Sequence, residues 1–562
     1  MSRILSPKSN LDSLRKEAKR WLKSIEAGDA DAMARFTALL PGGSSPKLRE
    51  VQQALAREHG FPTWAALKQE IEDSARTHAE RIQLFLEKGV HRYGVDPRTG
   101  KWGAYERDGD HRGAMAARLL HRNPEIARED IHTAVLAHDI EAVRGFLDKD
   151  PALASQRHAF DGFRPLARLA YARLPLPSVA ENAIAIAALL LDAGADPNAA
   201  GAGDASGFRV LTGAIGGGEA GQSVHPQAEA LARLLIARGA DPMDGQALYN
   251  TSLSEDDTFW LDLLWTESEK RGETAKWRGA NPNLAGPPLD YLLGNAVPHH
   301  LKRAAWLLAH GADASAMNAY SKQPVIKHAQ LAGRQDIVDL LVRHGAEPQP
   351  LSGPERFFAA ATQGDIPAMR KLAEGHPEYL QDPGAMFAAI GAHRTDVAEA
   401  LLDLGMSPDV GDHMNFRALH STTHAGALDI AKLLIARGAE IDPFEQRYGG
   451  TPLSHANYQN RPDMIALIAP HSRNIRGLCF AGCIDRLREL FTENPALAGE
   501  PIHDKEPPLF CLPDNDERAL ELAELLLAFG ADPKACDPGG STPAEVARQR
   551  GLEETAAFLE GD

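Results

Sequence analysis

A helical pattern that ends in glycine recurs along the chain and restricts the folds open to it. Within residues 183–198, the apolar side chains of Ile186, Leu189 and Leu190 fall at i, i+3 and i+4, so a helix here has one buried stripe. Gly194 stands where a helix ends with a positive φ, and Pro197 prevents the helix from resuming. The segment is therefore predicted to be a short helix with a defined stop.

The same ending returns at a spacing close to 33 residues, the distance from Gly405 to Gly438. A second short helix in the first half of each unit is indicated by Arg417-Ala418-Leu419-His420 and by Gly450-Thr451-Pro452-Leu453, because Thr can cap a helix whose first turn begins with Pro. A fixed period of this length is the signature of a repeat architecture. The further copies of the ending contain Gly239, Gly279, Gly311, Gly345 and Gly530.

These motifs resemble the ankyrin repeat, whose unit begins Gly-x-Thr-Pro-Leu-His and ends Leu-Leu-x-x-Gly-Ala-Asp-x-Asn. The resemblance implies an all-α solenoid of stacked helix pairs with short β-hairpin-like finger turns. It also implies that the fingers and the first helices line a concave groove. Non-catalytic binding of a partner protein is the function expected from such a scaffold.

The regularity of the pattern divides the chain into four predicted segments. The first resembles the helical segment that precedes the repeats in many bacterial ankyrin-repeat proteins, notably at Ala-Arg-Glu-His-Gly-Phe-Pro-Thr-Trp, residues 56–64. The segments are, in order, an N-terminal helical cap, divergent repeats, repeats with inserted loops, and repeats with a C-terminal cap, over residues 1–76, 77–157, 158–350 and 351–562.

Some second helices are predicted to end in a proline-containing turn instead of a glycine. A residue before proline is pushed out of the helical region, so the helix stops there. These endings contain Asn123-Pro124, Asp150-Pro151, His376-Pro377 and Asn494-Pro495.

Net charge and cysteine content limit the class of partner and the cellular compartment that the sequence predicts. A formal net charge of −17 argues against nucleic acid as the main partner, although a local basic patch is left open. Four cysteines are too few for a disulfide framework, which favours a reducing compartment. The start of the chain lacks the apolar run of a signal sequence, and no stretch is apolar enough to span a membrane. We therefore expect a cytoplasmic protein with a protein partner, no membrane association and no cofactor, and leave the oligomeric state open.

The functional surface is predicted in the irregular middle of the array. The spacings from Gly194 to Gly239 and from Gly239 to Gly279 are 45 and 40 residues, so both units exceed the usual length. Insertions in repeat arrays map to loops on one face, often the binding face. The residues in excess of the usual repeat length are predicted to form loops around residues 199–207, 216–225, 254–257 and 267–274.

Six binding residues are selected from these units. Two lie at a junction between finger and helix, and two lie at the end of a first helix. Trp277, in a polar context, is the tryptophan expected to be exposed, whereas Trp260 is assigned to a buried helical stripe with Leu263 and Leu264. The selected residues are Asp161, Arg164, His225, Tyr249, Asn250 and Trp277.

Histidine and cysteine pairs elsewhere have the i, i+4 spacing of metal ligands. His420 and His424 form one pair, but His420 occupies the motif position at which the resemblance implies a hydrogen bond to the backbone, and no third ligand is identified. Cys479 and Cys483 form another, more typical of small buried thiols. No metal site is predicted.

Two further clusters have structural interpretations. Gly216-Gly217-Gly218 lacks the Gly-Lys-Ser/Thr ending of a phosphate loop and is predicted to be a turn between helices. Asp256-Asp257 is predicted to lie in a solvated loop or at a helix start.

An enzyme or a small-molecule receptor, with its site in residues 160–310, is the alternative function. A deep enclosed pocket with converging His, Asp, Tyr or Arg side chains would favour that alternative, and an open polar groove would favour the protein-binding scaffold. Self-association through an exposed apolar patch is a third hypothesis.

Overall fold

The described part of the chain is helical, as the predicted all-α class requires. The computed structural model describes residues 11–40, 46–64, 67–68, 71, 76–91, 109–200, 208–218, 223–253, 255–281, 284–501, 506–537 and 539–561. Within these ranges, extended structure is confined to isolated β-bridges. The chain divides into two compact units, the first containing residues 1–328 and 336–347 and the second containing residues 329–335 and 348–562.

Three helices at the N-terminus form a small core of their own. They are α1 (Leu11–Glu26), α2 (Ala30–Leu39) and α3 (Leu48–Glu58). The indole of Trp21 is buried and donates a hydrogen bond to the carbonyl oxygen of Ala32, at 3.0 Å. The guanidinium of Arg35 lies 3.8 Å from the centre of the Trp21 ring. The capping role predicted for this segment stays a prediction.

Helix pairs fill the rest of the first unit. Successive first helices pack side by side, as do the second helices over residues 140–149, 177–192 and 228–237, so the apolar stripes of these helices meet. The helices are α4 (His78–Lys88), α5 (Gly109–Arg122), α6 (Ile131–Ala137), α7 (Ile140–Lys149), α8 (Pro165–Tyr171), α9 (Pro177–Asp192), α10 (Val210–Ile215), α11 (Ala228–Ala237), α12 (Gly245–Ser252), α13 (Phe259–Lys270), α14 (Pro288–Ala296) and α15 (Leu301–Ala309).

The division between the units falls within the next pair, α16 (Val325–Leu331) and α17 (Gln335–Arg343). The second unit repeats the same arrangement around two apolar clusters. Its helices are α18 (Gly353–Gln363), α19 (Ile366–Gly375), α20 (Gly384–Gly391), α21 (Thr395–Asp403), α22 (Ala418–Ala425), α23 (Leu428–Ala436), α24 (Pro452–Tyr458), α25 (Pro462–Ile468), α26 (Ile475–Phe480), α27 (Ile484–Glu493), α28 (Asp516–Ala528), α29 (Pro543–Gln549) and α30 (Glu553–Glu560).

Glycine ends the second helices where the sequence predicts, with one exception. Gly194, Gly345 and Gly405 have φ values of 94°, 96° and 102°, which glycine adopts without steric cost. Gly279 instead has φ of −90°, and Gly272, with φ of 67°, follows the end of α13. The surplus placed in a loop at residues 267–274 therefore lies partly in α13, which extends to Lys270, so that part of the prediction is wrong.

The proline-containing endings form short 3₁₀ helices. The residue before each proline has an extended or intermediate backbone, as predicted, and a turn of 3₁₀ helix then leads toward the next unit. These turns are Pro124–Arg128, Pro151–Ser155, Pro377–Gln381 and Pro495–Ala498.

Single antiparallel bridges close several of the predicted fingers just before a first helix. Each joins two backbone segments a few residues apart, which fixes the finger to the start of the helix that follows. The bridged pairs are Ala200 with Arg209, Asn281 with Gly286, Met317 with Pro324, Gly411 with Arg417, and Glu445 with Gly450.

No helix in the described residues is long and apolar enough to cross a membrane. The polar, turn-rich sequence between Gly94 and Gly113, with Trp102 and Tyr105, also predicts an inserted loop, and its residues 94–108 lie outside the described residues. Residues 201–207 and 219–222, in the glycine-rich parts of the loops predicted around 199–207 and 216–225, lie outside them as well. The part of the loop from Gly109 onward belongs to helix α5.

Candidate functional site

A groove in the first unit runs across two first helices and the finger that follows them. It has a volume of about 450 Å³ and lies on the C-terminal ends of α12 and α14. We call it the tyrosine groove. Its lining is Tyr249, Ser252, Leu253, Gly294, Asn295, Pro298, His299, His300, Asn318 and Tyr320.

Tyrosine hydroxyls, amides, a serine hydroxyl and two imidazoles supply the polar groups of this groove. The hydroxyl groups of Tyr291 and Tyr320 share a hydrogen bond of 2.6 Å. The Asn295 amide donates to the Ser252 hydroxyl at 3.3 Å, joining α14 to α12. Burial, with the hydrogen bond to Tyr320, raises the pKa of Tyr291 above its ordinary value. The Tyr291 phenol is therefore neutral and able to donate or accept hydrogen bonds at neutral pH.

The finger that carries Tyr320 is fixed against α14 by a buried amide. Asn318 donates to the carbonyl oxygen of Gly294 at 3.1 Å, and its Oδ1 accepts hydrogen bonds from the backbone N–H groups of Tyr320 and Ser321. A Cβ at Gly294 would approach the Asn318 amide to 3.3 Å, so a glycine suits this close contact. The groove wall is thus set before any partner arrives.

The turn that carries His299 and His300 is held by the acidic pair Asp256-Asp257. The Asp256 carboxylate accepts from the backbone N–H groups of Lys302 and Arg303, at 3.1 and 3.0 Å, and so caps the start of α15. The buried Arg303 guanidinium donates to the Asp257 carbonyl oxygen at 2.9 Å. These aspartates therefore tie a loop to a neighbouring repeat.

Helix α12 is anchored at both ends by buried polar side chains. Asp244 caps its N-terminus by accepting hydrogen bonds from Gln246 N–H and Ala247 N–H, both at 3.0 Å. Asn250, selected as a binding residue, is 1% exposed and donates to the Gly216 carbonyl oxygen at 2.9 Å. Gly217 and Gly218 pack against Asn250, both with positive φ. The predicted turn at Gly216–Gly218 is confirmed, and Asn250 fixes it.

Asp161 belongs to an internal ion pair. Its carboxylate, 1% exposed, accepts from the fully buried Arg168 guanidinium at 2.7 Å. His158 contacts the same oxygen at 3.2 Å. Arg164 is half-buried at the start of α8, where its carbonyl oxygen accepts the first helical hydrogen bond, from Arg168 N–H at 2.8 Å. The pair Asp161–Arg168 joins this finger to its own first helix.

His225 is 1% exposed, and its Nδ1 accepts a hydrogen bond from Gln227 N–H at 3.0 Å. Burial lowers the pKa of His225 to about 3, with the Arg173 charge adding to the effect, so the imidazole is neutral. This side chain therefore serves the packing of α11.

Trp277 is fully buried, so the expectation that it is exposed is wrong. Its indole N–H donates to Ser268 Oγ at 3.0 Å, and its ring lies 5.4 Å from that of Trp265. Polar neighbours in sequence are misleading here because the chain turns back over α13. Leu263 and Leu264 are buried as predicted, while Trp260 is half-buried.

Of the six selected residues, Tyr249 alone lines the tyrosine groove, and whether any of the six binds a partner stays a prediction. Sequence reasoning missed Leu253 and Tyr320, which are 46% and 66% exposed. Tyr320 carried a usable signal, since a large ring at the tip of a finger has no place in the repeat core. The sequence contains no signal for Leu253 or Asn295, because these residues lie far apart in sequence and come together only in the folded protein.

The predicted backbone role of His420 is confirmed. Its Nε2 contacts the Pro443 carbonyl oxygen at 3.1 Å, and its Nδ1 accepts from Arg417 N–H. His424 contacts His455 at 2.8 Å, and His455 contacts the buried carboxylate of Glu445 at 3.1 Å. Glu445 also accepts from backbone N–H groups of residues 447, 448 and 450, so this chain of side chains holds a finger in shape.

Both cysteines of the i, i+4 pair are packed against apolar side chains. Cys479 is buried and Cys483 is half-buried. Burial raises the pKa of each thiol, so both are protonated at neutral pH, in keeping with the predicted structural interpretation.

Comparison with known proteins relates the chain to ankyrin repeats. The family described as "Ankyrin repeats (3 copies)" matches residues 357–445. The "B-cell lymphoma 3 protein homolog" of Mus musculus is 32% identical over 135 residues, 23% of this chain, and the match spans 30% of the mouse protein. The "Putative ankyrin repeat protein YahD" of Escherichia coli K12 is 25% identical over 213 residues, 37% of this chain and 94% of that protein.

Replacing Asp161 with Ala is expected to destabilise the first unit by about 3–5 kcal/mol, because the buried Arg168 guanidinium loses its carboxylate. Urea unfolding followed by circular dichroism measures the change. The control is Glu229→Ala, which breaks an exposed pair with Arg233 and is expected to change stability by less than about 1 kcal/mol. Equal effects from the two variants would contradict the structural role of Asp161.

Asp244 provides a test based on pH. Burial raises the pKa of Asp244 to about 6, above its unfolded value near 3.8, and Oδ2 has no hydrogen-bond partner among the described residues. The folded state therefore binds this proton more tightly, and the carboxyl lowers stability as the pH rises from about 4 to about 6.

Asp244→Asn keeps the capping oxygen and removes the charge. The difference between the free energy of unfolding of this variant and that of the wild type is measured by urea unfolding at pH 4.5 and at pH 7.5. It is expected to be about 2 kcal/mol more favourable to the variant at pH 7.5 than at pH 4.5. A difference that does not change with pH would show that Asp244 titrates normally.

Proposed function

We propose, from the premise that the chain is an ankyrin-repeat protein, that it binds an extended and uncharged segment of a partner protein in the tyrosine groove. Ankyrin repeats are generally modules for protein–protein interaction. The observation that carries the proposal is the groove itself, which spans successive first helices and a fixed finger in the predicted functional region.

The chemistry of the lining supports an uncharged ligand. Among the described residues, the side chains that line the groove are tyrosines, amides, a serine, a leucine, a proline and two histidines, with no carboxylate, ammonium or guanidinium group. A charged side chain buried here would lose water without gaining an opposite charge. Apolar and neutral polar side chains face no such cost.

The hydroxyl and amide groups suit an extended backbone. A segment in an extended or polyproline conformation has no internal hydrogen bonds, so its carbonyl oxygens and N–H groups are free to pair with a groove. Tyr249, Tyr320 and Asn295 provide donors and acceptors spaced along that path. Tyrosine rings add large contact areas at a low entropic cost.

Preorganisation adds to the expected affinity. Asn318 fixes the finger, Asp256 fixes the histidine turn, and Asp244 fixes α12, so few side chains need to be ordered on binding. The exposure of Tyr320 and Leu253 at the groove supports a docking surface in preference to an enclosed catalytic pocket.

Replacing Leu253 and Tyr320 together with Ala is expected to weaken partner binding at least about tenfold, because both exposed anchors are lost. Affinity capture from a lysate of the source cells, followed by calorimetric titration of the captured protein, measures the loss. Phe259→Ala is the control, since Phe259 is 45% exposed at the start of α13, away from the groove lining.

Two results would contradict the proposal. The double variant could bind the partner as tightly as the wild type, or the wild type could capture no protein while its melting temperature rises with a small-molecule extract. The second result would favour the receptor or enzyme alternative.

A further inference from the structure

A second cavity lies within the second unit, at the N-terminal end of α18. Its volume is about 620 Å³, and much of its wall is apolar, formed by Leu331, Phe357, Phe358 and Ala385. Three carboxylates also line it, those of Glu355, Glu378 and Asp382. An apolar interior with a negatively charged rim distinguishes this cavity from the neutral tyrosine groove.

One wall of the cavity is an ordered aromatic stack. The ring of Tyr379 lies 4.8 Å from that of His376, at an interplanar angle of 14°, and 5.9 Å from that of Phe357. The Tyr379 hydroxyl occupies the space that a Cβ at Gly353 would need, so the glycine permits this packing. The wall is therefore set by contacts within the unit.

The three carboxylates that line the cavity also make hydrogen bonds within their own unit. Asp382 accepts from Gly384 N–H at 2.7 Å, and Glu378 contacts His376 at 2.9 Å. Glu355 accepts from the backbone N–H and hydroxyl of Ser352, as part of a capping box. Within the described residues, neither Glu378 nor Asp382 forms an ion pair with a lysine or an arginine.

Hydrogen bonds to the Glu378 carboxylate favour its charged form. The pKa of Glu378 is lowered, first by a hydrogen bond from its own backbone N–H and then by His376. Glu378 and Asp382 have further acceptor sites beyond the hydrogen bonds given above, because an ionised carboxylate accepts about four hydrogen bonds. The cavity thus combines a negative rim, aromatic faces and apolar depth.

We propose that this cavity binds an arginine side chain of a partner protein. The methylene stem of arginine covers apolar surface while the guanidinium stays at the rim. Its planar fork of donors matches carboxylates, and its face stacks on aromatic rings such as Tyr379. A lysine offers the same charge without the fork or the stacking plane. The site is separate from the tyrosine groove and is built from different residues.

The test uses the full chain and two five-residue peptides, acetyl-Gly-Gly-Arg-Gly-Gly-amide and the same peptide with citrulline in place of arginine. Citrulline keeps the shape and removes the charge. The arginine peptide is expected to bind with a Kd below about 1 mM by calorimetry, and the citrulline peptide at least about tenfold more weakly. Raising the salt concentration is expected to weaken binding of the arginine peptide.

Glu378→Gln combined with Asp382→Asn keeps the acceptor oxygens toward the backbone and is expected to weaken arginine binding at least about tenfold. Glu374→Gln combined with Asp429→Asn is the control, because it removes the same charge from exposed positions outside the cavity lining. Thermal melts confirm folding of both variants. The control is expected to bind within about twofold of the wild type.

The proposal fails if the arginine peptide does not bind up to about 5 mM, if citrulline binds equally, or if the rim variant binds like the control. The double variant of Leu253 and Tyr320 is expected to bind the arginine peptide normally. Failure of the tyrosine groove as a docking site is therefore distinguishable from failure of this cavity.

Discussion

The helices of the repeats are too short to be stable alone, so every unit depends on ties to its neighbours. They range from six residues in α10 to 16 in α9, near or below the length at which an isolated helix holds together in water. Apolar stripes supply part of the stabilisation. Polar side chains add to it where they join a finger or loop to a helix, and those of Asp161 and Asn250 are buried. Asp161, Asn250 and Asp256 each make such a tie in the irregular repeats.

This dependence explains which parts of the fold were predictable from the sequence. The repeat period can be read from the sequence, and so can the glycines and prolines at which helices end. The helix pairs and most of their C-terminal ends were therefore predictable. Gly279 and Trp277 were misread because their conformation depends on how the chain turns back over α13. Gly279 belongs to a copy of the repeat ending but has a negative φ, because the helix has already ended near Gly272, whose φ is positive.

The site was less predictable for the same reason. The irregular units contain the polar and aromatic residues predicted to bind, but the side chains of Asp161, His225, Asn250 and Trp277 are buried. Tyr249 was selected and lines the groove, whereas Leu253 and Tyr320 come from separate repeats and meet only in the fold. A residue that strengthens an irregular repeat and a residue that contacts a partner have similar sequence contexts. Burial distinguishes them, and burial is a tertiary property.

The claim that a partner segment occupies the tyrosine groove is tested most directly by site-specific photo-crosslinking. Leu253 is replaced by the photoreactive residue p-benzoylphenylalanine in the full chain, with a matched replacement of Phe259 on α13 as the reference. Irradiation in lysate and mass spectrometry then identify the crosslinked segment. We expect one partner segment without charged side chains, attached at position 253 and absent from position 259. Equal crosslinking at both positions, or a charged segment at position 253, would contradict it.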